Sequence, residues 1–580
     1  MGIAQDLIDQ ANALVAQRAE LERTWDFISR LLMPHPDRRW RRGTVSNDRD
    51  ALEGWAAGSK VSERARLIYD ITGIIALERL TTGMISLITP DSEKWQGLQQ
   101  DDPFGAVMDD AQTEWAEAVR DYLFTVRYDP RSGWALANQA AIRSAAALGT
   151  GAYIIEEVEG ANGGTAAQIP YRATNLPLSD NYLTVNGQGF HDQNYRFMSL
   201  EARVAATLFN GNLSPQAMKM ANDPQQWSTR IQILHYVGER KEKGPLSGVQ
   251  TNMPIASIYV EMATKHEISH GGFGYWPIIV YNWNQMTDSP YGESAAMLVM
   301  SEVAAAQVMA KNTILASQQH IKPPVGTTDD GAMNRPNLNP GAINFGALDA
   351  QGNPKIKPLT TGADPRLSQV VLDASRQQIK DGLYTSLWQI LIQNPNMTAT
   401  EAMIRANEKG ELLGPIGARI QHGLARLTDA ELTILSQKDA FNPRSPLAVP
   451  QKMQGKKLTT KFASPLERLR RSQELIGIQQ TVGIAASLFQ ADQSVMDNLD
   501  SDEIIRVSRE ITGAPAKILR HRDEVEQIRE QRAQQQQLAA AQQVADVAKT
   551  GAEAAAAGVP AVQGLSDILA QYGAGQGAPA

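Results

Sequence analysis

No cysteine occurs anywhere in the 580 residues. That absence excludes disulfides, thiolate metal sites and a cysteine nucleophile together, and fits a chain made in a reducing cytoplasm. Long apolar runs are missing too, so no membrane-spanning helix is expected. The opening stretch, MGIAQDLIDQANALVAQRAELER, carries acids early and has the apolar spacing of an amphipathic helix, so no secretory signal is expected either. Positive charge is not in excess. A formal net charge of −8 and a pI near 5.7 argue against a protein that grips nucleic acid by neutralising phosphates over its whole surface.

What is present is the composition of a soluble globular protein of several domains, 42% hydrophobic and 20% charged, long enough to bury a sizeable core. The most telling stretch runs from Tyr291 to Asn394. Its first part places Met297, Met300, Ala304, Val308 and Leu315 on one helical stripe and stops at Lys322-Pro323-Pro324; its last part repeats the pattern with Leu367, Val371, Ile379, Leu383, Leu387 and Leu391. Each pattern is long enough for a helix of roughly 40 Å. Between them, Ile321 to Gly362 is rich in proline and glycine and reads as short strands and loops. A helical hairpin with a small tip is the expectation.

Around this hairpin the chain reads as α+β and largely helical. Helices are expected from Leu7 to Met33, from Tyr69 to Pro90, over 109–125 and over 134–147. Residues 153–281 are strand-rich, with apolar runs at Tyr153-Ile154-Ile155, Tyr182 to Val185, Ile231 to Val237 and Ser257 to Met262, and one helix at 199–208. Gly149-Thr150-Gly151 precedes a strand, the reverse of the order a dinucleotide fingerprint requires, so it reads as a turn. Thr398-Ala399-Thr400-Glu401 opens a further helix with a capping box, and Gly414-Pro415 is expected to kink or break it. Pro443 to Pro450 reads as a linker. Helices follow at 465–488, 502–511 and from Pro515 into an Ala/Gln-rich tract at 531–557, and the end from Tyr572 reads as disordered.

Two motifs suggest chemistry. Arg38-Arg39-Trp40-Arg41-Arg42 is a basic cluster able to meet phosphate or an acidic surface. His266-Glu267-Ile268-Ser269-His270 has the form of a zinc hydrolase signature, with Glu293 as a third ligand. That chemistry needs one helical turn between the histidines. Here the preceding alternation of Ile258, Val260 and Met262 makes a strand, which would hold the two rings about 13 Å apart. No catalytic constellation, metal site or cofactor loop stands out, and no enzyme activity is expected.

Several stretches together resemble the head-to-tail connector, or portal, proteins of short-tailed bacteriophages. They are Trp25 through Pro34, YDITGIIALERLTTGMISLITP followed by Trp95, Trp276-Pro277-Ile278-Ile279-Val280 with Trp283, Ser289-Pro290-Tyr291-Gly292 opening a long helix, Pro323-Pro324 closing it, and MTATEAMIRANEKGELLGPIGARI from Met397. The resemblance implies a ring of twelve subunits at one capsid vertex, through which double-stranded DNA is packaged and ejected. It implies a wing at 1–290 and 398–464, stem helices at 291–320 and 364–392, a clip at 321–363, a tunnel loop at 393–397, a crown at 465–530 and a helical barrel at 531–571. The tunnel loop would be Gln393, Asn394, Pro395, Asn396 and Met397. Lys311, Lys322, Lys355, Lys357, Arg376 and Lys380 are the candidate contacts for DNA or a partner. The implied partners are the terminase large subunit, a tail adaptor, and the major capsid and scaffolding proteins, with no membrane. The long C-terminal tract departs from short members of the family.

Overall fold

The computed structural model describes residues 2–33, 68–101, 108–158, 169–240, 253–287, 289–326, 337–339, 341–359, 365–385, 399–489, 493–512, 518–520 and 522–556. The chain divides into two units, Met1–Ile511 and Thr512–Ala580. The first begins with α1 (Ile3–Leu32), α2 (Thr72–Ile88), β1 (Gln96–Gln100), α3 (Asp110–Tyr128), α4 (Trp134–Leu148) and β2 (Thr150–Glu157). A sheet-rich body follows: β3 (Tyr171–Leu176), β4 (Asn181–Val185), β5 (His191–Glu201), α5 (Ala202–Leu208), α6 (Pro215–Asn222), β6 (Arg230–Glu239), β7 (Ile255–Glu261), β8 (Glu267–Phe273) and β9 (Ile278–Asn282). Then come β10 (Asn284–Gln285), β11 (Gly292–Glu293), α7 (Ala295–Leu298), α8 (Met300–Ile321), β12 (Val325–Gly326), β13 (Lys357–Pro358) and α9 (Pro365–Gly382). The unit closes with α10 (Ala399–Gln437), β14 (Leu458–Phe462), α11 (Pro465–Leu488) and α12 (Ser501–Thr512), and the second unit contains α13 (Arg522–Ala556). The fold is mixed helix and sheet with helix predominant.

Two antiparallel sheets organise the body. One has the order β4-β5-β6-β7-β8 and the other β3-β2-β9. β6 reads as an almost unbroken apolar run because both faces of its sheet are covered. Leu234 and Tyr236 pack with Leu7, Ile8 and Ala11 of α1, whereas Ile231 and Ile233 pack with Ala202, Ala205 and Ala217 of α5 and α6. The three-stranded sheet lies in the largest core, which draws on α1, α2, α4, α8, α9 and α10. α4 comes so close to β2 that a Cβ at Gly151 would stand 1.8 Å from the Ala141 carbonyl oxygen. Gly149 ends α4 with φ +90°, and a Cβ there would lie 1.9 Å from the Gly292 oxygen. The Gly-Thr-Gly stretch is therefore a helix stop and close-approach site, consistent with its reading as a turn.

A buried ion pair links three distant segments. Arg127 of α3 donates through Nε to Glu431 Oε1 of α10 at 2.9 Å and through Nη2 to Thr428 Oγ1 at 3.0 Å. Tyr171 of β3 donates its hydroxyl to the same carboxylate at 2.5 Å. Both charged side chains are fully buried. Trp95, Phe124 and Trp134 surround the guanidinium, with its carbon 4.9 Å from the Trp95 ring. Burial alone would drive the proton off Arg127, but Glu431 more than offsets this and keeps the guanidinium charged.

Two expectations need correction, and one pairing had none. α10 is one helix of 39 residues that continues through Pro415, so the proline does not break it. A proline inside a helix forfeits one backbone bond, and the burial of Leu413, Ile416, Ile420, Leu424 and Leu427 along the helix holds it together. The helix expected at 199–208 starts only at Ala202, because residues 199–201 extend β5 against Ile231 and Gln232. The pairing of β1 with β14 had no sequence signal: QGLQQ is polar and its partner lies more than 350 residues away. The basic cluster at Arg38–Arg42, Pro515 and the tail at 572–580 lie outside the described residues.

Glu431→Ala would leave Arg127 buried and unpaired, and is expected to cost about 3–5 kcal/mol, read as a shift in the urea midpoint. His235 gives a pH test. It is fully buried, stacked 3.9 Å from Tyr259, with Nε2 3.0 Å from Ser257 Oγ. Desolvation, with Arg196 nearby, lowers its pKa to about 3. Unfolding lets it take up a proton below about pH 6.5, so stability should fall as pH drops from about 6.5 towards 3. Thermal melts across that range should show a shallower fall in His235→Gln.

Candidate functional site

The hairpin expected between Tyr291 and Asn394 is present, and its helices α8 and α9 pack side by side. The first helix does not start at residue 291. Gly292 and Glu293 pair with Asn284 and Gln285 as a small ribbon. Ser294 then caps α7 by accepting from the Met297 amide at 3.0 Å, while its hydroxyl donates to the Ala147 carbonyl of α4 at 2.9 Å. α7 breaks from α8 at Val299, which packs against the far end of α9: a Cβ at Gly382 would stand 2.3 Å from Val299 Cγ1. α9 ends there, and 386–392, the rest of the expected helix, lie outside the described residues. Leu383 bonds back to Ile379, and Tyr384 turns the chain with φ +55°. Gln393, Asn394, Pro395, Asn396 and Met397, the expected tunnel loop, lie outside the described residues.

The hairpin is rooted in the core at one end and bare at the other. Val303, Ala306, Gln307 and Ala310 are buried, but no residue of α8 beyond Ala310 is. Val308, Leu315 and Ile321 on α8 and Val370 on α9 are exposed, Val308 at 58% and Ile321 at 79%. The same is true of the tip. β12 pairs with β13, and a smaller turn is closed by a bridge between Leu348 and Pro354. Asp349 accepts from the amides of Gln351 and Asn353 at 2.9 and 2.7 Å, and Asn344 brackets Asn337 with two bonds. Local bonds thus satisfy the main chain while Ile343 and Phe345 stand in solvent, Phe345 at 85% exposure. An apolar surface of this kind marks an interaction site.

The candidate cations divide into two groups. Arg376 of α9 donates through Nε to Asp70 at 2.7 Å and through Nη1 to Asp373 at 3.1 Å. Gln307 of α8 grips the same segment, accepting from the Tyr69 and Asp70 amides at 2.7 and 3.0 Å and donating to the Asp70 carbonyl at 2.6 Å. Lys311 lies 5.9 Å from the Tyr69 ring. Lys311 and Arg376 therefore meet at the strap that leads into α2, a role their sequence positions did not reveal. Lys322 follows α8 and Lys357 sits in β13, both at the base of the tip; Lys355 stands in the smaller turn and Lys380 near the end of α9.

The zinc reading fails on geometry. Glu267–Phe273 is the edge strand β8, and His266 lies just before it. His270 Nδ1 contacts Glu267 Oε1 at 2.9 Å, and its other nitrogen faces Arg240 Nη1 at 3.1 Å, where a cation would be repelled. Glu293 belongs to β11. Among the described residues no group of three or more His, Cys, Asp or Glu could hold a metal ion, and no helix is long and apolar enough to cross a membrane.

The profile of the family described as "Bacteriophage head to tail connecting protein" matches residues 4–519, from the start of α1 to beyond α12. The chain belongs to that family. It is 26% identical over 558 residues to the "Portal protein" of Salmonella phage epsilon15, covering 94% of each chain. It is 27% identical over 338 residues to the "Probable portal protein" of Bordetella phage BPP-1, covering 57% of this chain and 59% of that one. The connector family thus spans both the body and the hairpin.

The Asp70 strap yields a test. Burial would raise the Asp70 carboxyl, but bonds from Thr72 and Arg376 outweigh it and hold the group below its ordinary value. Its contribution is therefore complete above the unfolded value of about 3.9 and lost as pH falls through the lower folded one. Protection factors for amide exchange in α8 and α9, with the intrinsic pH dependence divided out, should fall on acidification from about pH 5 to 3 in the native chain. In Asp70→Asn protection should already be low at neutral pH and change less.

Proposed function

We propose that this connector is a portal subunit, twelve copies of which close into a ring around double-stranded DNA at one vertex of the capsid. The reading is carried by the hairpin, whose outward apolar residues are left in water by a single chain and would be covered by neighbouring copies around an axis. The similarity to the epsilon15 portal protein along almost the whole of both chains supports it. In this assignment residues 1–290 and 398–464 form the wing, 291–320 and 364–392 the stem, 465–530 the crown and 531–571 a helical barrel. Gln393–Met397 form the tunnel loop.

The clip, 321–363, presents Ile343 and Phe345 to the terminase large subunit during packaging and to the tail adaptor afterwards. Lys322, Lys355, Lys357 and Lys380 supply the cations on this part of the molecule. Lys311 and Arg376 brace the stem against the Asp70 strap and contribute less to DNA. A net charge of −8 per chain suits a channel that must let a phosphate backbone slide without adhering. The driving ATPase is a separate chain. The assembled ring belongs to the virion, with major capsid and scaffolding proteins as neighbours, and it forms in the host cytoplasm.

Twelve chains of 63.3 kDa give a particle of about 760 kDa with cyclic symmetry. Negative-stain images and mass measurement should show closed rings with a central hole; monomers or open filaments under all conditions would refute the ring. Val308→Glu alters an exposed position, so the melting temperature should stay close to native. The ring fraction at equal concentration should fall at least tenfold.

A further inference from the structure

The ends of β5, β6 and β7 and the turn after β8 meet α10 across a cleft of about 630 Å³. Some of its polar groups are satisfied within the fold. His191 Nε2 lies 3.0 Å from the Pro290 carbonyl, Asp192 accepts from the Thr184 hydroxyl at 2.6 Å, and Arg240 donates to the Met253 and Gly271 carbonyls at 3.0 and 2.6 Å. Others are not. Arg426 of α10 lies 4.7 Å from the Phe190 ring, and among the described residues it has no hydrogen-bond or ion-pair partner. Asp429, one turn further along α10, and Glu239, at the end of β6, present exposed carboxylates to the cleft and likewise have no protein partner among the described residues. Trp276 Nε1 is buried without an acceptor. Desolvation lowers the Arg426 pKa, and the Asp429 carboxylate one turn away offsets this only in part.

Two donors without a protein partner and two water-facing carboxylates in one cleft restrict what can fill it. A phosphate backbone would meet Asp192, Glu239 and Asp429; a metal ion would meet Arg240 and Arg426. A purely apolar surface would leave Arg426 buried and unpaired. An extended polypeptide, which offers carbonyl oxygens and amide hydrogens in turn, meets both needs. In a ring built from one kind of chain, each copy must offer a receiving face and a different inserted face, and every receiving face then has a neighbour at fixed stoichiometry.

We propose that this cleft receives an extended segment of a second copy of the chain, with Arg426 and Trp276 donating to it and Asp429 and Glu239 accepting from it. The proposal rests on the ring assignment above. The test places p-benzoylphenylalanine at position 433, on the cleft wall, in the otherwise native full-length chain, and irradiates ring and monomer fractions. The expected result is a chain-to-chain adduct in the ring fraction alone. Rings that give only adducts within one chain, none, or adducts with a different protein would overturn the cleft assignment and leave the ring intact; absence of rings from the native chain would overturn the ring itself. In parallel, Arg426→Glu should reduce the ring fraction at least tenfold at equal concentration. A folded Arg426→Glu chain that assembles like the native one would also overturn the proposal, and if that variant does not fold, the photo-adduct decides.

Discussion

The body of this connector depends on a charge placed where no water can reach it. Arg127 and Glu431 are 304 residues apart, yet each is tolerable inside the core only because the other is there. The pair imposes register on everything around it. α3 presents Arg127, α10 presents Glu431 and Thr428, β3 supplies the Tyr171 hydroxyl, and an aromatic wall excludes solvent. An apolar core could slide by a methylene without much loss, but a buried ion pair with directed bonds cannot. The three-stranded sheet, packed between α4 and α10, inherits that precision.

The hairpin obeys a different economy. Its root is part of the same core, through Val303, Ala306 and Leu372, and is tied to the strap before α2 by Gln307 and Arg376. Its outer half buries almost nothing within the chain, although its sequence carries apolar residues there. Such a helix gains little from its own hydrogen bonds in water. Its stability must come from a surface that the single chain does not contain, and a repeated subunit is the simplest source.

Much of this was legible in the sequence because it follows from period and punctuation. The helices over 3–32, 72–88, 110–128 and 465–488, the β6 and β7 runs and the Gly149 turn appeared where local chemistry placed them. The alternation of Ile258 and Val260 belongs to β7, and reading it on into the motif removed the zinc site, although the turn that separates β7 from β8 had no signal. What was hidden depended on partners distant in the chain. Pro415 reads locally as a breaker, and only the core beneath Leu413 and Ile420 overrules it. α9 stops at Gly382, where it meets Val299, a seat that no local pattern announces. Arg376 looks like a cation offered to DNA until Asp70, 306 residues away, is found beside it. The unmet groups of the cleft at Arg426 belong to the same class, since no spacing rule links Glu239 and Trp276 to one face of α10.

The contact between Val299 and Gly382 also has a mechanical meaning. With the broken end of one helix seated against the only side-chain-free position in that part of the other, the two helices cannot move past each other like pistons. Advancing α9 by a single residue would bring Asp381 or Leu383 into a space that holds no Cβ. Force applied along the hairpin from its tip would therefore be passed to the body at this seat, with little of it taken up by one helix sliding on the other.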